Sequence, residues 1–314
     1  MKLLSIVIPT NGISEWCFPV LDSIFSQKVD PELYEVVVTD NGNNVNFSDG
    51  IMRYCKKHKN LIYKKTNAEL FMNQLEAFRI ATGEYIKMLN HRMLMREGSL
   101  QYLINFVENN LKEKPIAYFL NNARKPLENK RAINNYDEFL YELSYFISWS
   151  AGVGCWKSDL KKFTEDINYG LFPHVSFIMN GDVNRSYILD NKVLFDSIKT
   201  NHAKKGRYDV FNAFGIELVD IMRTQYEMKR ISKMTYEHFL RENEEFLVDL
   251  YLDFVILRKP HSYDISSSKK SLNVYYKFSY IRNKAISKIP QKILGILYHS
   301  LKKIIRIIRL KERY

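Results

Sequence analysis

Cysteine is scarce in this 314-residue chain: Cys17, Cys55 and Cys155 lie far apart, are odd in number and form no Cys-x-x-Cys pair. That excludes a disulfide framework and leaves three small apolar residues suited to a core in a reducing compartment. No stretch reaches the ~18 uninterrupted apolar residues of a membrane span. The run Leu3–Ile8 is stopped by Pro9 too early for a secretory core and reads as a first strand. Internal repeats and low-complexity tracts are missing too. With 46% hydrophobic and 26% charged residues, the composition is that of a globular protein, long enough for one main domain with an appendage. These absences lead us to expect a cytoplasmic protein.

Acids are also short: 35 Asp and Glu face 47 Lys and Arg, a net charge of +12. Such an excess favours an anionic partner, whether nucleic acid, acidic lipid or a phosphorylated substrate. Much of it collects at the C-terminus. From Ile281 to Ile308, aliphatic residues recur at steps of three and four. Arg282, Lys284, Lys288, Lys292, Lys302, Lys303, Arg306, Arg309, Lys311 and Arg313 fill the gaps against one acid, Glu312. An apolar stripe with a basic opposite face suits an interfacial helix on anionic lipid, or a basic helix packed on its own domain or on a partner. Nucleic acid is not expected, because the cations accompany aliphatics and not stacking aromatics.

What is present in the first half is alternation. Short apolar, β-branched runs at Leu3–Ile8, Tyr34–Thr39, Leu61–Lys65, Tyr85–Leu89 and Ile116–Leu120 predict strands. Segments at helical spacing separate them at 13–25, 50–58, 68–81 and 97–111. This spacing predicts right-handed βαβ units and a mostly parallel sheet, an α/β fold. Three predicted strands end in polar residues: Pro9-Thr10-Asn11, Asp40-Asn41-Gly42 and Asn90-His91-Arg92. In an open α/β sheet ligands bind at the carboxyl ends of strands, so these tips are expected to line one crevice.

Beyond, 122–136 reads as a polar loop, 150–156 as a small-residue strand, and 185–197 as a hairpin or strand pair around Asp190-Asn191. The basic stretch 199–208 reads as a connector or as a loop over an anionic ligand. Two amphipathic helices are expected at 211–230 and 236–257, and Ser266–Lys270 reads as a linker. The expected organisation is an α/β domain over 1–215, a helical appendix over 216–265, and a linker with a basic membrane-surface helix over 266–314.

Ser-Ile-Val-Ile-Pro-Thr at 5–10, Val-Val-Val-Thr-Asp-Asn-Gly at 36–42, and Asn73 upstream of Ala-Thr-Gly-Glu-Tyr-Ile-Lys-Met-Leu at 81–89 together resemble inverting family-2 glycosyltransferases of the GT-A fold. The bacterial surface-polysaccharide branch that includes abequosyltransferases is the nearest group. The resemblance is good over residues 1–100, looser to 215 and absent beyond. It implies a Rossmann-like GT-A domain, a nucleotide-sugar donor, and donor-binding roles for Pro9, Thr10, Asn11, Asp40, Asn73, Asn90 and His91.

It also carries a departure. Relatives have Asp-x-Asp where this chain reads Asn90-His91-Arg92, and their second Asp binds the divalent cation, manganese or magnesium, that bridges the diphosphate. Asn90 and Arg92 stand at the two Asp positions, which puts a metal cofactor in doubt. A guanidinium cannot ligate a cation but carries its charge and binds phosphate oxygens bidentately. Arg92 is therefore expected either to take over the metal's work or to mark a degenerate, non-catalytic site. For the general base, the resemblance leaves His174, in Phe-Pro-His-Val, and Asp166, in the pair Glu165-Asp166. The acceptor it implies is a lipid-linked saccharide of O-antigen, capsule or lipooligosaccharide assembly, met at the inner face of the cell membrane.

Overall fold

The computed structural model describes residues 2–123, 130–133, 135–162, 170–180, 183–199, 207–292 and 294. Two compact units form: Met1–Thr200 with Ile221–Phe239, and Asn201–Asp220 with Leu240–Tyr314.

The first unit is built on a five-stranded sheet. β1 (Leu4–Thr10), β2 (Tyr34–Asp40), β3 (Leu61–Lys65) and β4 (Tyr85–Met88) are its parallel strands. The sheet order is β3-β2-β1-β4-β8, with β8 (Gly154–Trp156) antiparallel to β4. β1 and β2 lack polar alternation because both their faces are covered, and every residue of β2 is buried. α1 (Ser14–Phe25), α2 (Val45–Lys57), α3 (Asn73–Ile80) and α4 (Ser99–Asn110) connect and cover the strands. Tyr85, Phe106 and Trp156 meet edge to face or stacked at the centre of the core.

Register brings the strand tips together. Thr10 stands opposite Asp40, and Val7 opposite Met88. β2 and β3 lie on one side of β1, and β4 on the other, so the winding direction reverses between β1 and β4. That is the topological switch point at which a crevice opens.

Several connections differ from the sequence expectation. A strand, β7 (Lys130–Ile133), lies in the stretch read as a loop. It joins β6 (Ile116–Phe119) and β9 (Tyr187–Asp190) in a second sheet ordered β6-β9-β7. The 185–197 stretch is no hairpin. Asp190 Oδ1 accepts the Lys192 N–H in a local turn, and the chain then leaves for another partner. β10 (Phe195–Ser197) pairs instead with β5 (Met93–Met95), which follows the Asn90–Arg92 tip. Only 154–156 of the small-residue stretch is strand; Ser150–Gly152 is a 3-10 turn. Its glycines make room for the chain's own rings, Tyr118 at Gly152 and Tyr85 at Gly154. The unit also contains α5 (Tyr136–Leu143) and α6 (Ser176–Met179).

Helices make up the second unit. It draws on α7 (Val210–Asn212), on residues 240–250 of α9 (Lys233–Leu250) with a wide π-type turn at Tyr251–Ile256, and on α10 (Ser268–Tyr275) and α11 (Phe278–Ser287), while most of α8 (Leu218–Glu227) belongs to the first unit. The Ser-Lys run read as a linker leads into α10. Phe211, Leu247, Val248, Leu252, Leu272, Ile281 and Ala285 form its core. The basic stripe thus begins inside the unit. Ile281 and Ala285 are wholly buried, while Lys284, Lys288 and Lys292 are ion-paired with Glu245, Asp249 and Asp253. The rest of the stripe, residue 293 and residues 295–314, lies outside the described residues. Among the described residues no helix is long and apolar enough to cross a membrane.

Candidate active site

Thr10 and His91 face each other across the switch point. Thr10 Oγ1 lies 2.7 Å from His91 Nδ1 and accepts the Gly12 N–H at 3.2 Å. With the Thr10 hydroxyl as the donor to Nδ1, the neutral ring carries its hydrogen on Nε2. Burial and the neighbouring Arg92 guanidinium push the His91 pKa down, to about 3, so the ring is neutral at pH 7. Trp16 of α1 meets His91 edge to face at 5.2 Å between ring centroids, and the Arg92 guanidinium lies over the same indole, 5.6 Å from its centre. Asn90 Oδ1 accepts from the Arg92 backbone N–H and Nε–H at 3.1 and 3.3 Å. The Arg92 carbonyl in turn accepts from Ile198 N–H, which extends the β5–β10 pairing to the tip. Arg92 is therefore held at backbone, Nε and ring face.

The β2 side is neutralised from within. Asp40 is wholly buried: Oδ1 accepts the Gly42 N–H at 2.8 Å, and Oδ2 accepts from Tyr63 OH and Lys65 Nζ at 3.0 and 3.1 Å. Lys65, 44% exposed, is the part of this pair that faces solvent. Asn73 is a strut. Its Nδ2 donates to the carbonyls of Thr10 and Thr39, and its Oδ1 accepts from Thr66 Oγ1 at 2.8 Å, which joins β1, β2 and α3 where the strands end. Pro9 is half-buried and Asn11 exposed, and Gly12 takes a left-handed turn with φ +77°. Gly42 packs against the Asn11 backbone so closely that a side chain there would collide with it.

His174 is buried, with a partner at each ring nitrogen. It is 2% exposed, with Ser148 O 3.0 Å from Nε2 and the Gln74 amide 2.9 Å from Nδ1. Burial pushes its pKa down, to about 4. The ring is thus neutral. Ser148 O can only accept, so the hydrogen sits on Nε2, and Nδ1 is matched when the Gln74 amide presents its NH2. His174 is a buried bracket between α3 and the turn before β8, and both its nitrogens are engaged. Asp166 and Glu165 lie outside the described residues.

Sequence reading missed Trp16, Lys65 and Gln74. Trp16 and Gln74 sit on helices where apolar or amide residues pass for packing. Lys65, at the end of a strand, carried a usable signal as a cation two residues after Tyr63.

Among the described residues no group of three His, Cys, Asp or Glu side chains is placed to hold a metal. The tip's own donor set fits one poorly. Asn90-His91-Arg92 offers no carboxylate, Asn90 Oδ1 is taken up by Arg92, and the guanidinium puts a fixed positive charge where a hard cation would sit. A guanidinium held over an indole, beside a neutral imidazole N–H, is suited instead to an anion.

Solved structures with a similar fold include TarS of S. aureus residues 1–349 in complex with UDP-GlcNAc, at TM-score 0.56 and 16% identity over 91% of this chain and 89% of that one. The mannosyltransferase PcManGT of Pyrobaculum calidifontis, in complex with GDP-Man and Mn2+, matches at TM-score 0.52 and 15% identity over 95% of this chain and 79% of that one. A longer TarS structure matches at TM-score 0.52 and 16% identity over 80% of this chain, which spans only 44% of its length. At these identities the likeness is one of fold. No curated protein sequence matches the chain. The family model for glycosyl transferase family 2 matches residues 5–164, just over half the chain, across the sheet and crevice described above. The chain belongs to glycosyl transferase family 2 and is a glycosyltransferase of the GT-A fold.

Proposed function

We propose that this enzyme moves a sugar from a nucleotide-sugar donor to a lipid-linked saccharide, with inversion and without a divalent metal. The observation that carries the reading is the Asn90-His91-Arg92 tip, where a braced guanidinium replaces the carboxylates of the family. UDP-GlcNAc and GDP-Man in the two structural neighbours support the donor class. The nucleoside lies toward Pro9, Thr10, Asn11 and the Lys65–Asp40 pair, with Asn73 holding the strand ends beneath it. The diphosphate lies at His91 Nε2–H and Arg92. In the transfer, the acceptor hydroxyl oxygen bonds to the anomeric carbon as the bond from that carbon to the diphosphate oxygen breaks. The electron pair leaves on the diphosphate, where Arg92 stabilises the developing charge. The hydroxyl proton passes to a base. His174, neutral but enclosed, is disfavoured for that role, and Asp166 becomes the assignment to test.

The lipid-linked acceptor is supported by composition. Residues 295–314 carry Lys302, Lys303, Arg306, Arg309, Lys311 and Arg313 against Glu312, among aliphatics at helical spacing. Such a segment suits an anionic leaflet, with the enzyme peripheral at the inner face of the membrane of a bacterium that builds surface polysaccharide.

The deciding measurement is donor turnover in excess EDTA. Activity should persist there in the wild type and fall about 100-fold or more in Arg92→Ala, the size expected for losing one charge stabiliser at the transition state. Strict dependence on manganese or magnesium would sink the reading. Asp166→Asn should abolish transfer while leaving nucleoside diphosphate binding intact, whereas His174→Gln should retain a measurable rate.

A further inference from the structure

Lys87 is the one lysine among the wholly buried large side chains of the described residues. It lies in β4, on the face it shares with Tyr85, among aromatic rings: its Nζ is 5.1 Å from the centre of Phe119 and 5.5 Å from that of Phe195. A lysine there is costly. Burial pushes its pKa down, to about 7, against the opposing field of Asp190, whose carboxylate also accepts from Tyr102 OH.

Its ammonium has three hydrogens and three acceptors: Met88 O at 2.8 Å, Val153 O at 3.2 Å, and Ala151 O. The first belongs to the last residue of β4. The other two belong to the turn that precedes β8. Because β8 is antiparallel to β4, with Gly154 opposite Lys87, residues 148–153 pass beside the carboxyl end of β4, next to the Asn90–Arg92 tip. Continuing β8 backwards thus carries the turn toward the end of β4 on which the tip sits, and Ser150–Gly152 pack against β4 itself.

Two more buried side chains hold the same turn. Tyr118 OH donates toward the carbonyls of Phe146 and Trp149, and His174 Nε2 donates to Ser148 O. Five carbonyls between 146 and 153 are therefore drawn inward by three side chains, of which Lys87 is the one lysine. Val153 O has a second donor in the Met88 N–H, and apolar packing surrounds the site. An ionisable side chain buried among aromatic rings and directed at this turn calls for a reason besides packing.

We propose that Lys87 is a positioning residue for sugar transfer, its ammonium fixing the 146–153 turn at a set distance from the Asn90–Arg92 tip so that the acceptor is aligned on the donor's anomeric carbon. This rests on the donor reading given above. Lys87 touches neither substrate. It acts through the turn, so its loss should lower kcat through misalignment and leave the affinity for the nucleoside diphosphate alone.

The test compares Lys87→Met, Lys87→Arg and the wild type by transfer kinetics, by calorimetric binding of nucleoside diphosphate, and by amide hydrogen exchange. In Lys87→Met, kcat should fall by about tenfold to a hundredfold. Diphosphate affinity should stay within about twofold, and amides of 146–153 should exchange faster while those of β1 and β2 do not. Lys87→Arg, which restores a cation with several donors, should recover part of kcat. A folded Lys87→Met with wild-type kcat overturns the role of Lys87 alone, since donor binding and transfer then stand without it. A parallel loss of kcat, diphosphate affinity and exchange protection throughout the sheet marks a purely structural residue and also overturns it. If Lys87→Met does not fold, Tyr118→Phe is read instead, since it frees two carbonyls of the same turn and leaves the charge in place. Its kcat should fall at unchanged diphosphate affinity, and an unchanged kcat overturns the proposal. A wild type that binds no nucleoside diphosphate overturns both this inference and the donor reading.

Discussion

At the scale of single residues, the neutral, enclosed imidazole of His174 has a measurable consequence. Its pKa is pushed down, to about 4, from an ordinary value of 6.5. Above pH 6.5 the ring is neutral in both folded and unfolded chains. As pH falls through 6.5 the unfolded chain takes up the proton first, and stability drops until the folded ring protonates as well. The window therefore runs from about pH 6.5 down to about 4, and the loss over it is about 3 kcal/mol. His91, whose pKa burial also pushes down, adds in the same direction. Denaturant midpoints of the wild type and His174→Gln at pH 7 and pH 4.5 should show a smaller acid loss in the variant; equal losses would mean that the ring is not the buried neutral group described. Residues of this kind are where sequence reading reached least. Lys87 sits between Ile86 and Met88 and was passed over because a lysine in a strand normally turns to water. Only the convergence of three carbonyls from a distant turn explains its burial.

At the scale of elements, the strand ends were legible because backbone physics writes them into sequence. A run such as Val36-Val37-Val38 has to be a covered strand, and Asp40-Asn41-Gly42 has to end it. The pairings of later strands were not legible. β9 and β10 are separated by only four residues yet belong to different sheets, and nothing in their composition says so. Asn73 shows how an element boundary carries function. As the first residue of α3 it was expected near the donor, and the structure places its amide between two strand-end carbonyls. Asn73→Ala should cost about 2–3 kcal/mol of stability by leaving buried polar groups without partners. It should also weaken nucleoside diphosphate binding as Thr10 and Asp40 lose their spacing. Thermal denaturation with and without the diphosphate checks both. A variant that loses stability but keeps full binding would make Asn73 a fold residue only.

At the scale of the whole molecule, charge is divided unevenly. The cations at 284, 288 and 292 are spent on the acids of α9 and its following turn, so any attraction to a lipid surface falls to residues 295–314. Deleting 281–314 would remove Ile281 and Ala285 from the core of the second unit and confuse unfolding with release. Deleting 295–314 separates the two. The shortened protein should keep its thermal stability and lose sedimentation with phosphatidylserine vesicles, each cation lost removing about 1 kcal/mol near the surface. Unchanged vesicle binding would refute the membrane role of the tail.

The ion pairs of the second unit have one more implication. Lys284 meets Glu245, Lys288 meets Asp249 and Lys292 meets Asp253, each cation 39 residues after its acid, so the two helical stretches run parallel with rungs one turn apart on both. A ladder with equal rungs works like a ratchet. Sliding one stretch by a single helical turn would set Lys284 against Asp249 and Lys288 against Asp253 and keep most of the attraction. The charges thus hold the helices together without choosing their alignment. That choice falls to Ile281 and Ala285, whose sockets do not repeat. Enlarging Ala285 to Leu should therefore favour the neighbouring tooth of the ratchet, with two of the three ion pairs still made.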